Sequence, residues 1–317
     1  MFGDFRGLCT QANIPLCALI GSYSDGVLIP FEGACYPRTI ILANTMVFDV
    51  GNVFLQFAMF VVIAITGYNS LQKYTAVGRR EMLDLNYIFF FLTACSLLVD
   101  ANVVPQVSGS FAYFSAVQAG LASALCAQLV VVGLTMYQFW EDGTSKAIFL
   151  TRTITTVWGV GNFFVAILTF KDWAHSRVIG PDETAFLMAF LYVGNATLAF
   201  FYLICALWLT LKVLREYWAF GANLMALAFF VIGQLLLYQF SKLICQNVKH
   251  YVDGKFFATL CNMFSYVLIF KAWDIITSED LEFSVSPVDA AWDLKTIDEG
   301  LSESEYAMSH YTQQTGL

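Results

Sequence analysis

The sequence predicts an all-α membrane protein, a bundle of seven transmembrane helices with a luminal N-terminal segment and a short acidic cytosolic tail. Three observations predict it. Hydrophobic residues make up 58% of the chain and charged residues only 13%, where an average soluble domain holds about 25% charged residues. Apolar windows long enough to cross a hydrocarbon core of ~30 Å recur along most of the length. Charge is also segregated. Residues 274–317 hold ten acidic side chains against the single Lys295, so the net charge of −8 lies in the tail and the rest is near neutral. No basic patch points to nucleic acid.

Residues 1–45 precede the first long apolar window. Asp4 stands beside Arg6, and the apolar stretch after Asn13 is short and holds Pro15. A secretory signal needs a positive start and a longer apolar core, so the first span is expected to serve as its own signal. The seven windows are Met46–Tyr68, Leu85–Val104, Tyr113–Phe139, Ala147–Phe170, Ala185–Leu211, Ala219–Phe240 and Phe256–Trp273. They read as helices rather than as the alternating ten-residue segments of a membrane barrel. The expected organisation is thus a luminal segment at 1–45, a transmembrane domain at 46–273 and a cytosolic tail at 274–317.

Orientation follows from the connections. Lys73, Arg79 and Arg80 follow the first span closely, while its other flank has only Arg38 nearby. The positive-inside rule places the 73–80 loop in the cytosol and the N-terminus in the lumen. With that orientation Cys9, Cys17, Cys35 and Cys245 fall on the luminal side, and Cys95, Cys126, Cys205 and Cys261 fall within spans. An even luminal set in an oxidising compartment is expected to pair, with at least one bridge from the N-terminal segment to the loop after the sixth span. Four cysteines allow three connectivities, and sequence does not choose among them.

Chemistry-bearing motifs are missing. His175, His250 and His310 form no His-Glu-x-x-His arrangement. There is no Gly-x-Ser-x-Gly elbow and no phosphate-binding Gly-x-x-x-x-Gly-Lys. All six prolines lie outside span interiors, whereas transporters build their sites from broken helices at mid-membrane. Asp49 and Asp100 sit near span ends, where a solvated or capping role is expected. The one Asn-x-Thr sequon, at Asn195, lies inside the fifth span. The third span is rich in small residues, including Ala116, Gly120 and Ala124, and is expected to be central in the bundle. The chain reads as a non-enzyme with no cofactor, no metal site and no catalytic residues.

Seven strings carry a family resemblance: Leu42–Asn52 (LANTMVFDVGN), Gln72–Arg79 (QKYTAVGR), Ser108–Gly120 (SGSFAYFSAVQAG), Trp140–Lys146 (WEDGTSK), Leu168–Trp173 (LTFKDW), Lys249–Phe257 (KHYVDGKFF) and Lys271–Val285 (KAWDIITSEDLEFSV). In this order and spacing the chain resembles the fungal chitin synthase export chaperones. The four cysteines, in the contexts GLC, PLC, ACYPR and ICQ, also look like part of that pattern. The resemblance implies a multi-pass protein of the endoplasmic reticulum membrane whose client is a many-span chitin synthase, needed for cell-wall chitin. It implies no catalytic residues.

Two other readings stand beside this one. A permanent subunit would travel with the synthase to the plasma membrane. A seven-span receptor fits the span count, but the third span ends in Tyr137-Gln138-Phe139 without Asp-Arg-Tyr, and the last span lacks Asn-Pro-x-x-Tyr. In the tail, Asp280-Leu281-Glu282 has the form of a di-acidic export signal, which two carboxylates could present to a vesicle coat protein. Docking onto the synthase and plain solvated charge are the competing roles for Asp280 and Glu282.

Overall fold

The computed structural model of this protein describes residues 3–24, 27–31, 33, 35–42, 45–139, 143–173 and 179–283. The N-terminal segment holds a short helix α1 (Arg6–Gln11) and a single 3-10 turn at Pro15–Ala18, with Pro15 at its first position, where the missing N–H costs nothing. Two small antiparallel hairpins follow, β1 (Gly21–Ser24) with β2 (Val27–Pro30) and β3 (Ile40–Leu42) with β4 (Thr45–Val47). This segment caps one end of the bundle. Phe5, Cys9, Leu16, Cys17 and Ile20 pack with Ala112, Ala116, Ala166, Ile167, Phe170 and Leu187 in one buried cluster. The Thr184 hydroxyl donates to the Gly3 carbonyl (2.5 Å), and the Gly21 N–H donates to that of Pro181 (3.1 Å).

Among the described residues, seven helices are long and apolar enough to cross a membrane: α2 (Val50–Gln72), α3 (Arg79–Asp100), α4 (Phe111–Thr135), α5 (Ser145–Lys171), α6 (Ala185–Val213), α7 (Tyr217–Tyr238) and the Gly254–Ser278 part of the last helix. The seven-span expectation is met. A short helix α8 (Ser241–Asn247) follows α7, and the last helix, α9, runs over Gly254–Phe283. The ends differ from the apolar windows for local reasons. The first helix starts at Val50 rather than Met46, because Thr45–Val47 pairs in a hairpin and Asp49 takes a left-handed conformation with φ of 48°. The second starts six residues early, since the charged turn Arg79-Arg80-Glu81 is helical although it is not apolar; Gly78, with φ of 69°, makes the turn before it. The third ends at Thr135, and Gln138 beyond it has φ of 53°. The α6 helix carries two π-type segments, Ala189–Gly194 and Leu209–Val213.

Small residues and buried polar groups set the packing. The α4 helix lies between α3, α5 and α6. A Cβ on Gly120 would stand 2.9 Å from the Gly159 carbonyl oxygen, and one on Gly159 would stand 2.8 Å from the Ala124 Cβ, so α4 and α5 touch backbone to backbone. Gln128 of α4 donates to the Glu81 carbonyl of α3 (2.9 Å) and accepts from Thr155 of α5 (2.7 Å). Asn195, the sequon residue, accepts from the Trp158 indole (3.1 Å) and donates to Ser123 (2.8 Å), an interhelical role inside α6. Asn86 of α3 accepts from Thr66 of α2 and from Tyr266 of α9, and donates to the Ile63 carbonyl. Near the opposite end, Arg152 of α5 grips Asp84 of α3 through two bonds of 2.8 and 2.9 Å.

The close approach of α4 and α5 generates a test. Gly159→Leu should destabilise the purified chain by about 1–3 kcal/mol through overpacking. Gly161→Leu, whose Cβ meets nothing within 4 Å, carries the same helix-propensity gain of about 1 kcal/mol without the clash and should not destabilise. Thermal unfolding of both variants in detergent measures the difference, and equal midpoints would remove the packing argument.

Candidate functional site

The end of the bundle that carries the N-terminal segment holds all four cysteines outside the spans. The structure pairs Cys9 with Cys17, with Cα atoms 5.7 Å apart, and Cys35 with Cys245, with Cα atoms 6.2 Å apart. The first pair pins α1 to the 3-10 turn. The second joins residues 210 apart in sequence, tying the N-terminal segment to α8. Backbone contacts reinforce the second pair: the Arg38 N–H donates to the His250 carbonyl (2.7 Å), and the Arg38 guanidinium stacks over the Tyr251 ring at 4.2 Å. The His250 Nδ1 lies 3.0 Å from the Tyr36 carbonyl oxygen and 3.2 Å from the Cys35 sulfur. Cys35, Cys245 and His250 converge closely enough to suit a metal ion, but two sulfurs bonded to one another are not thiolate ligands.

Beneath this cap lies a buried ionic cluster. Asp49 ends the chain's approach to α2, Asp100 is the last residue of α3, and Lys255 is in the first turn of α9. The Lys255 ammonium is 3.0 Å from Asp100 and 3.7 Å from Asp49. The other Asp100 oxygen accepts from Asn52 (3.1 Å) and Gln56 (2.9 Å), and Asn52 in turn accepts from Thr259 (2.7 Å). Asp49 is only 3% exposed, and the backbone N–H of Asn52 in the first turn of α2 donates to its carboxylate. The expected solvated role therefore does not hold for either aspartate: each is buried against Lys255, and Asp49 keeps a cap contact to Asn52. Burial pushes the Asp49 carboxyl up to about 7, the nearby Lys255 pulling it down less than desolvation raises it.

The opposite end is stitched by a second constellation. Lys73, just past α2, pairs with Asp274 of α9 at 2.5 Å and donates to Thr277 (3.1 Å). The Trp273 indole donates to the Val77 carbonyl (3.1 Å), and the Lys73 ammonium lies over the same ring at 5.4 Å. Lys271 adds an ion pair to Asp274 at 2.9 Å. The last helix continues ten residues beyond Trp273 to Phe283. Asp280 and Glu282 fall on the final turns of this helix, their side chains lying outside the described residues, as does everything from residue 284 onward.

The strings that carry the resemblance meet each other in space. LANTMVFDVGN supplies Asp49 and Asn52, and KHYVDGKFF supplies Lys255, at one end; QKYTAVGR supplies Lys73 and Val77, and KAWDIITSEDLEFSV supplies Trp273, Asp274 and Thr277, at the other. A family profile described as chitin synthase export chaperone matches residues 1–287. The chain belongs to the chitin synthase export chaperone family. Relatives of that name include one from Candida albicans, 43% identical over 91% of this chain and 93% of its own length, and one from Saccharomyces cerevisiae, 40% identical over 90% and 95%. Another from Aspergillus clavatus is 41% identical over 98% of this chain and 93% of its own length. No solved structure matches.

In this member of the export chaperone family the cluster at Lys255 escapes sequence reading, because its partners are more than 150 residues away along the chain. The available signal was that Asp49 and Lys255 both fall inside family-like strings. A test follows from the Asp49 shift. Its folded-state value, about 7, lies above the ordinary 3.8, so the folded state holds this proton more tightly. The stability it contributes is full below the unfolded-state value and is lost as pH rises through the folded one. The unfolding midpoint should fall as pH rises from about 4 to about 7 and level off above that, and Asp49→Asn should flatten that step. An unchanged slope in the variant would assign the step to another group.

Proposed function

We propose that this chain is a dedicated membrane chaperone that assists the folding of a chitin synthase and its exit from the endoplasmic reticulum. The observation that carries the reading is the family match along nearly the whole chain, together with relatives named for this role. On this reading the protein works without catalysis. A half-assembled many-span client exposes polar and small-residue helix faces that prefer a protein partner to lipid. A rigid bundle covers them by close packing and interhelical hydrogen bonds, each worth roughly 0.6–2 kcal/mol. Binding the native-like client then stabilises it by mass action. Deleting this protein should leave the synthase in the endoplasmic reticulum while unrelated membrane cargo moves normally. Normal synthase at the surface of the deletion strain would defeat the reading.

The same reading fixes an orientation. The N-terminal segment and both cysteine pairs face the lumen, and the Lys73–Asp274 end and residues beyond α9 face the cytosol. The motives are Lys73, Arg79 and Arg80 after the first span, and cysteine pairs that suit an oxidising compartment. Asp280 and Glu282 then stand where a vesicle coat protein can reach them, and they serve as the export signal. Protease added to intact microsomes should remove a C-terminal epitope. Changing both residues to Ala should hold this protein in the endoplasmic reticulum with its client still bound. A protected epitope reverses the orientation; loss of client binding with normal trafficking makes the pair a docking surface instead.

A further inference from the structure

Between α2, α3, α4 and α9, under the N-terminal cap, lies a cavity of about 220 Å³. One wall is Ile14 and Pro15; Gln56, Asp100, Lys255 and Asn262 line its interior. Hydrogen-bond accounting around it is one-sided. Three amide donors are already engaged: Asn52 and Gln56 on Asp100, and Gln118 on Ser96 at 2.9 Å. Two acceptors, Gln56 Oε1 and Asn262 Oδ1, are buried and have no partner, and Gln56 is only 3% exposed. A buried acceptor without a donor is a standing cost that a donor ligand removes.

Charge points the same way. Lys255, the one cation among the described residues lining the cavity, is already claimed by Asp100, Asp49 and buried Asp253, and Asp253 is held as an acceptor for the Phe256 N–H (3.2 Å). Water would answer the missing donors but not the missing positive charge. A chelated metal answers the charge but not the geometry. Among the described residues, the only carboxylate, thiol or imidazole group that converges closely enough for an ion is Cys35, Cys245 and His250.

We infer that this cavity is a binding site for a protonated amine or guanidinium group, a cation that brings its own hydrogen-bond donors to Gln56 and Asn262 beside Asp100. Such a group is what a lysine or arginine side chain presents, and a small free amine presents it as well. A slender alkyl stem fits past the apolar wall of Ile14 and Pro15, leaving the charged head among the oxygens.

The test uses the full-length chain in detergent at constant ionic strength. Butylammonium should raise the unfolding midpoint saturably, by roughly 2–4 °C at ten times its dissociation constant. Tetramethylammonium, of equal charge but without donors, and sodium should not. Asn262→Leu should abolish the shift, and Asn262→Asp, which adds a carboxylate at the same place, should enlarge it, so that a folding defect in one variant leaves the other to decide. An equal response to all three cations, or a butylammonium shift unchanged in both variants, overturns the site. Adding butylammonium to immobilised protein carrying bound synthase separates the two sources. Release of synthase assigns the site to a client side chain, and retention with the midpoint shift intact assigns it to a free amine. Failure of this protein to bind synthase at all would bear on the proposed function and leave the amine shift standing.

Discussion

One buried ammonium holds the first, second and last spans together. Charges are costly to take out of water, and a buried pair is tolerable only when its remaining lone pairs and protons are also bonded. Lys255 meets that condition in part: Asp100 takes it at one oxygen and Asn52 and Gln56 at the other, Thr259 bonds Asn52, and Asp49 Oδ2 and Gln56 Oε1 are left without a hydrogen-bond partner. Removing one partner would leave an uncompensated charge, a change that costs about 3–5 kcal/mol where it has been measured. The register of α2, α3 and α9 at this end is therefore fixed by a single cation. At the far end Lys73 and Asp274 fix α2 against α9 again. Asn86 joins the same three helices between the two ends. A helix clamped at both ends and at its middle cannot slide or rotate without breaking all three.

The other spans are held by different means. The α4 and α5 helices meet through Gly120, Ala124 and Gly159, a contact with no charge in it. The fifth and sixth spans are less enclosed: their apolar windows are 17% buried, against 33–44% for the other five. Their outward side chains, such as Phe200, Trp208 and Leu224, would be a liability in water but are the ordinary surface of a helix in hydrocarbon. The bundle is thus mechanically uneven. One side is locked by polar constellations, and the other is joined through fewer bonds, among them Tyr137 to the Cys205 carbonyl at 2.7 Å.

The spans were legible because hydropathy integrates over twenty residues and needs no partner. Helix starts were less so. Hydropathy cannot see that Asp49 turns left-handed, or that the charged turn at Arg79 is already helical. Asp49 and Asp100 were misread for a more basic reason. Each sits at a span end, where a lone carboxylate reaches water, and their burial comes from Lys255 and from the N-terminal cap. The connectivity of the cysteines was illegible for the same cause, since Cys35 meets Cys245 only after six spans have folded. Composition and period describe a segment alone; these features exist only between segments.

That difference explains why the strings of family resemblance cluster at helix ends rather than in the apolar interior. Many apolar residues satisfy the interior of a membrane helix, so identity there is weakly dictated. An end constellation is exacting, because each member's value depends on its partner and the energies do not add. A change at Lys73 alters the worth of Asp274, and a change at Asp49 alters that of Lys255. Strings far apart in sequence are thereby bound to one another as pairs, LANTMVFDVGN with KHYVDGKFF and QKYTAVGR with KAWDIITSEDLEFSV. These paired ends fix how the helices of the bundle stand relative to one another.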